Sequence, residues 1–78
     1  MATVTVRYWA GAARAAGTDR EIVQVATVAE LRALLAARPA LTAVSRVASF
    51  LVDGAQAGDE APLQPGAVVD VLPPFAGG

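Results

Sequence analysis

Thr3 to Trp9 reads TVTVRYW, and its strict alternation constrains the fold more than any other stretch of the chain. Val4, Val6 and Tyr8 fall on one face, while Thr3, Thr5, Arg7 and Trp9 fall on the other. β-Branched and aromatic residues at period two make a strand with one buried face and one wet face. A strand of that kind must bury its apolar side, so the remaining residues have to supply partner strands and a covering layer. With 78 residues in all, they must do so within one domain. Twenty-one residues are Leu, Ile, Val or Phe, enough for a modest core.

The rest of the chain supplies those parts in order. Ala10 to Asp19 is Ala-rich with two glycines; it has room for a short helical turn and ends in a Gly17-Thr18-Asp19 turn. Arg20 to Val25 (REIVQV) reads as a second strand, its alternation blurred by adjacent Ile22 and Val23. Thr27-Val28-Ala29-Glu30 is a capping box, in which Thr27 accepts from the Glu30 amide and the Glu30 carboxylate reaches back to the Thr27 amide. The spacing predicts a helix over 28–38, with Val28, Leu31 and Leu35 on one stripe and Leu34 beside it. Arg38 would then sit at the negative end of the helix dipole, and Pro39 stops the helix. Leu41, Val44 and Val47 or Ala48 fit a second short helix. Phe50-Leu51-Val52 reads as a strand, Asp53-Gly54 as a type I′ turn, and Ala55 to Ala57 as a brief return strand. Leu63 is the one large apolar residue of the loop 58–66 and is expected to plug the core; Ala67 to Leu72 is the last strand. The order ββα, then a small hairpin and a last strand, predicts an α+β fold. One mixed sheet wraps one main helix: the β-grasp, ubiquitin-like roll, over 1–72, with 73–78 as an extended tail.

The residue types that are missing exclude most chemistry. There is no Cys, no His and no Lys. Disulfides, thiolate nucleophiles, imidazole bases, Schiff bases and the usual zinc sites are therefore excluded, and no bound metal or cofactor is expected. Six arginines against seven acids leave a net charge of −1, the wrong balance for a nucleic-acid binder. No stretch suits a membrane span or a signal peptide, so a cytoplasmic location is expected. Asp59-Glu60 reads as a solvated loop rather than a metal pair. A carrier, an adaptor or one subunit of a larger site is the expected kind of molecule.

The end of the sequence is where chemistry remains. Pro73-Pro74 ends sheet pairing and keeps the segment extended. Gly77-Gly78 has no Cβ and can thread a narrow channel. The Gly78 α-carboxylate is ionised at neutral pH and reacts with sulfur or nitrogen nucleophiles only once activated, for instance as an acyl-adenylate. Outside the core, Phe75 fits a partner contact, since aromatic residues anchor interfaces. Trp9, out of phase with Val4, Val6 and Tyr8, fits either an interface or the edge of the core. Arg14 fits a solvated loop position or a contact to an acidic partner surface.

The chain resembles the small, sulfur-carrying subunit of molybdopterin synthase. The resemblance rests on Val6-Arg7-Tyr8-Trp9-Ala10, on Ala13-Arg14 before Gly17-Thr18, and on the helix start Thr27-Val28-Ala29-Glu30-Leu31. It rests further on the Pro65-Gly66 turn and above all on the ending Asp70-Val71-Leu72-Pro73-Pro74-Phe75-Ala76-Gly77-Gly78. The resemblance implies that an E1-like enzyme adenylates Gly78 with ATP and that a sulfurtransferase converts the product to a thiocarboxylate. It implies that Gly77 threads the tail into the large synthase subunit of a heterotetramer, where sulfur passes to cyclic pyranopterin monophosphate. Trp9, Arg14, Pro73, Pro74, Phe75 and Ala76 would contact partners. A carrier for thiamine, cysteine or tRNA thiolation, a ubiquitin-like modifier joined through Gly78, and a binding-only adaptor stand as alternatives.

Overall fold

The computed structural model describes residues 1–73. Among them, five strands, β1 (Ala2–Tyr8), β2 (Arg20–Val25), β3 (Ser49–Val52), β4 (Ala55–Ala57) and β5 (Val68–Leu72), form one mixed sheet in the order β2-β1-β5-β3-β4. The alternating segment is β1 (Ala2–Tyr8), and Ala2, Val4, Val6 and Tyr8 are all buried, as their period demands. It pairs antiparallel with β2 (Arg20–Val25) and parallel with β5 (Val68–Leu72). β5 in turn pairs antiparallel with β3 (Ser49–Val52), and β4 (Ala55–Ala57) closes the far edge. The fold is the expected β-grasp.

The main helix, α2 (Val28–Ala36), is shorter than the predicted 28–38. Its buried residues are Val28, Leu31 and Leu35, the predicted stripe, and Leu34 packs at the margin. Thr27 caps it, its hydroxyl accepting from the Glu30 amide at 3.2 Å. The Glu30 carboxylate reaches one residue beyond the expected partner, taking the Ala26 N–H at 2.7 Å. Arg38 is not in the helix. As the residue before Pro39 it is held extended (φ −92°, ψ 121°), because the proline ring clashes with an αR conformation there. Its guanidinium leaves the dipole end altogether and pairs with Glu21 of β2.

A single 3₁₀ turn (Pro39–Leu41) leads into α3 (Thr42–Val47), the predicted short helix. Within α3 Ser45 is buried, and Leu41 before it and Ala48 after it are buried too, whereas Val47 is exposed. The Ala-rich stretch after β1 is a full short helix, α1 (Gly11–Ala16), whose Ala12 is fully buried. β1 and β2 therefore pair as a hairpin with a helix inserted between them. Asp53 (φ 50°) and Gly54 (φ 87°) both take positive φ, as a type I′ turn requires. Leu63 does plug the core, being buried at 5% exposure.

The helices cover the face of the sheet that carries Val4, Val6, Val69, Val71 and Phe50. The opposite face carries Thr3, Thr5, Arg7, Ile22, Leu51 and Asp70, and Ile22 is 70% exposed on it. No helix among the described residues is long and apolar enough to cross a membrane.

Candidate functional site

β5 lies between β1 and β3, so the strand that carries the chain toward its last residues is held on both sides. Near its end Val71 is level with Tyr8, and Leu72 with Ser49. One further bond, from the Trp9 N–H to the Val71 carbonyl at 3.2 Å, continues the β1–β5 ladder past the end of β1. Pro73 leaves the sheet there, half-buried and outside regular structure. Pro74, Phe75, Ala76, Gly77 and Gly78 lie outside the described residues.

Beside this exit, on the open face, stand Arg7, Trp9 and Asp70. The parallel pairing sets Arg7 level with Asp70 across neighbouring strands. Arg7 grips the carboxylate with two prongs, Nε to Oδ1 at 2.6 Å and NH2 to Oδ2 at 3.0 Å. The Trp9 indole N–H donates to Oδ1 at 3.0 Å. Arg7 also lies over the Trp9 ring, 5.6 Å from its centre, within cation–π range. Asp70 is only 6% exposed although it faces outward, because the guanidinium and the indole roof it. The bond from Arg7 holds the Asp70 carboxyl below its ordinary range against the opposing effect of burial, and the indole helps. The same pair raises the Arg7 guanidinium further above its already high value.

Trp9 itself is 47% exposed. Its N–H is satisfied and its ring stands half in solvent, so it is neither a core residue nor a loose surface one. The turn that aims it is strained: Ala10 has φ 50° and ψ −124°, the first central position of a type II′ turn closed by the Ala12 N–H on the Trp9 carbonyl at 2.9 Å. Arg7, Trp9 and Ala10, together with Asp19 and Arg20, border a groove of ≈ 530 Å³.

Arg14 is not part of this cluster. It sits exposed on α1 and makes no ion pair among the described residues. Asp59 and Glu60 are exposed, and Asp59 pairs with Arg32 at 3.0 Å. No group of three or more potential metal-ligating side chains occurs among the described residues. Of the predicted contact residues, then, Trp9 is bonded to Val71 near the end of β5, Pro73 follows two residues on, and Arg14 lies apart.

Sequence reasoning missed Arg7, Asp70 and Arg20. Two opposite charges, each in the middle of an apolar alternation (Val6-Arg7-Tyr8 and Val69-Asp70-Val71), were the available signal. Pairing the first strand with the last in parallel would have joined them.

The family model described as the ThiS family matches residues 6–78. No curated protein sequence is significantly similar to the chain. Solved structures are similar over nearly the whole length. The crystal structure of SAMP1 from Haloferax volcanii is 30% identical with a TM-score of 0.78, over 97% of this chain and 99% of that one. The protein–protein complex of subunits 1 and 2 of the molybdopterin-converting factor from Helicobacter pylori 26695 contains a chain 25% identical with a TM-score of 0.77, again over 97% and 99%. A putative molybdopterin-converting factor subunit 1 from Pyrococcus furiosus superimposes with a TM-score of 0.82 at 24% identity, over 96% of this chain and 100% of that one.

Proposed function

Because the chain belongs to the ThiS family, we propose that it is a sulfur carrier that works at Gly78 and serves a molybdopterin synthase. The observation that carries this reading is the family match over residues 6–78, which runs through the Gly77-Gly78 ending. The likeness to a chain solved in a complex of molybdopterin-converting factor subunits 1 and 2 favours a large synthase subunit as the partner. Catalytic side chains would then belong to the partners, in keeping with a chain that has no Cys, His or Lys.

In the proposed cycle the Gly78 carboxylate oxygen attacks the α-phosphorus of ATP on an activating enzyme and pyrophosphate leaves. The persulfide of a sulfurtransferase displaces AMP to form an acyl disulfide, and a thiol then cleaves its S–S bond, leaving the thiocarboxylate and a disulfide. The tail then enters the large subunit, the sulfur passes to the pterin precursor, and water restores the carboxylate. The β-grasp body holds the tail's origin fixed between two flanking strands. Pro73, Pro74, Phe75, Ala76 and Gly77 span the distance to the reaction.

The test is ATP-dependent adenylation and thiolation by the organism's own activating enzyme, followed by intact-mass analysis for replacement of oxygen by sulfur. Deleting Gly78 draws the carboxylate back by about 3.3–3.6 Å along an extended chain, beyond near-attack range. The deletion is expected to fold normally and to gain no sulfur; thiolation at the wild-type rate would refute the reading. Phe75→Ala is expected to weaken the large subunit's affinity at unchanged stability.

A second reading is favoured by the 30% identity to SAMP1, the small archaeal modifier protein 1 of Haloferax volcanii. There Gly78 would end in an isopeptide bond to a lysine of another protein. Slow-migrating conjugates on a gel, lost with the Gly78 deletion, would favour it.

A further inference from the structure

Arg7 and Arg20 are directly opposite each other in the antiparallel register of β1 and β2, and both side chains project on the open face. Like charges at directly opposed cross-strand positions destabilise a sheet. Asp70 offsets Arg7 with a bidentate bond, yet it leaves one amino group of that guanidinium, NH1, without a partner among the described residues. Arg20 makes no ion pair and no side-chain hydrogen bond among the described residues. Arg7 and Arg20 line the ≈ 530 Å³ groove with Trp9 and Asp19, and the Asp70 carboxylate holds Arg7 and the indole beside it. Two arginines and two aspartates, Asp19 and Asp70, leave no net charge here; the imbalance is in pairing, since Arg7 is offset by Asp70 while Arg20 has no ion-pair partner among the described residues.

We propose that this groove receives an acidic side chain of the protein that takes up the tail, its carboxylate held between Arg7 and Arg20 against the Trp9 ring. The proposal rests on the carrier reading above. Charge complementarity identifies the occupant's chemistry: the unpaired Arg20 fork, the Arg7 NH1 that Asp70 leaves free and an aromatic wall suit a carboxylate. Position identifies its source. The groove adjoins Trp9, whose backbone N–H bonds to Val71 two residues before Pro73, so it lies beside the point from which the tail leaves the sheet. Asp70 fixes Arg7 and Trp9 before the partner arrives, which lowers the ordering cost of docking.

The experiment measures binding of the full-length chain to the large molybdopterin-converting-factor subunit of the same organism, by calorimetry at low and high salt. Arg20→Glu is expected to lower affinity about tenfold at low salt, with the gap narrowing at high salt as the charges are screened. Arg20→Gln should fall between it and the wild type. Arg46→Glu makes the same change in net charge on α3, away from the groove, and should leave affinity within about twofold. Arg20→Glu should also melt no lower than the wild type, because a glutamate opposite Arg7 replaces repulsion with pairing. Equal binding by Arg20→Glu and wild type, or an equal loss with Arg46→Glu, overturns the groove assignment alone. Absence of binding by the wild type overturns the proposed partner and the groove with it. Tight binding of inorganic phosphate, read from the Trp9 indole resonance, would make the groove a small-anion site and also overturn the proposal.

Discussion

The two faces of the sheet carry the same chemical cluster, put to different use. On the helix-covered face Glu21 accepts two bonds from Arg38 and one from the Tyr8 hydroxyl at 2.7 Å. On the open face Asp70 accepts two bonds from Arg7 and one from the Trp9 indole. Each is a carboxylate held by a forked arginine and an aromatic donor. Tyr8 is 3% exposed, however, and Trp9 is 47% exposed. The inner cluster ties β1 and β2 to the segment after α2; burial and the neighbouring Glu21 push the Tyr8 hydroxyl well above its usual range. The outer cluster ties down an arginine and an indole and leaves both in reach of solvent. Satisfied hydrogen bonds are thus common to both, and exposure of the aromatic ring separates the buried clamp from the solvent-facing one.

The contrast is sharpest between adjacent residues. Tyr8→Ala removes a buried ring and should cost about 3–5 kcal/mol in a denaturant titration. Trp9→Ala should cost under about 1 kcal/mol, yet weaken binding of the large subunit. Similar stability losses for the two would break the distinction between the faces.

The acids themselves offer a second comparison. Glu21 is held below its ordinary range chiefly by its bond from Arg38, and Asp70 chiefly by its bond from Arg7. A folded-state value below the unfolded one contributes stability that is complete above the unfolded value and drains as pH falls through the folded one. Stability should therefore be level above about pH 5 and decline below about pH 4.5, where free carboxylates titrate. Glu21→Gln and Asp70→Asn should each cost about 1–2 kcal/mol near neutral pH and together flatten that decline. Only Asp70→Asn should shift the Trp9 indole N–H resonance. An unchanged acid limb in the double variant would show that other groups control it.

What could be read in advance follows from how far apart the interacting residues are. The β1 alternation, the Thr27 cap, the Val28-Leu31-Leu35 stripe and the Asp53-Gly54 turn depend on neighbours within a few residues, and each was legible. So was Leu63 as a plug, since no other large apolar residue of its loop competes. Arg7 and Asp70 are 63 residues apart, and Arg38 and Glu21 are 17 apart; their meeting depends on strand order and register, which periodicity does not encode. Arg38 misled for a definable reason: helical spacing continues through it, while Pro39 bars it from the helix and frees its side chain for Glu21. The tail chemistry came from motif and resemblance, not from the pattern that specifies the body.

The smallest expected effect concerns the turn that joins the two clusters. Tyr8 and Trp9 are neighbours pointing to opposite faces, and Ala10 sets where the second one goes. Its φ of 50° and ψ of −124° suit glycine better than alanine. Ala10→Gly should relieve that strain but also enlarge the unfolded ensemble, which costs part of the gain. The net should be a stabilisation of about 0.5–1 kcal/mol, measured by urea titration. Greater backbone freedom at residue 10 should at the same time let the indole wander from Asp70, broadening its N–H resonance and slowing association with the large subunit. Higher stability with weaker binding would mean that the strained turn is kept because it aims Trp9. A loss of stability would show that Ala10 is relaxed where it stands, and that Asp70 and Arg7 alone fix the ring.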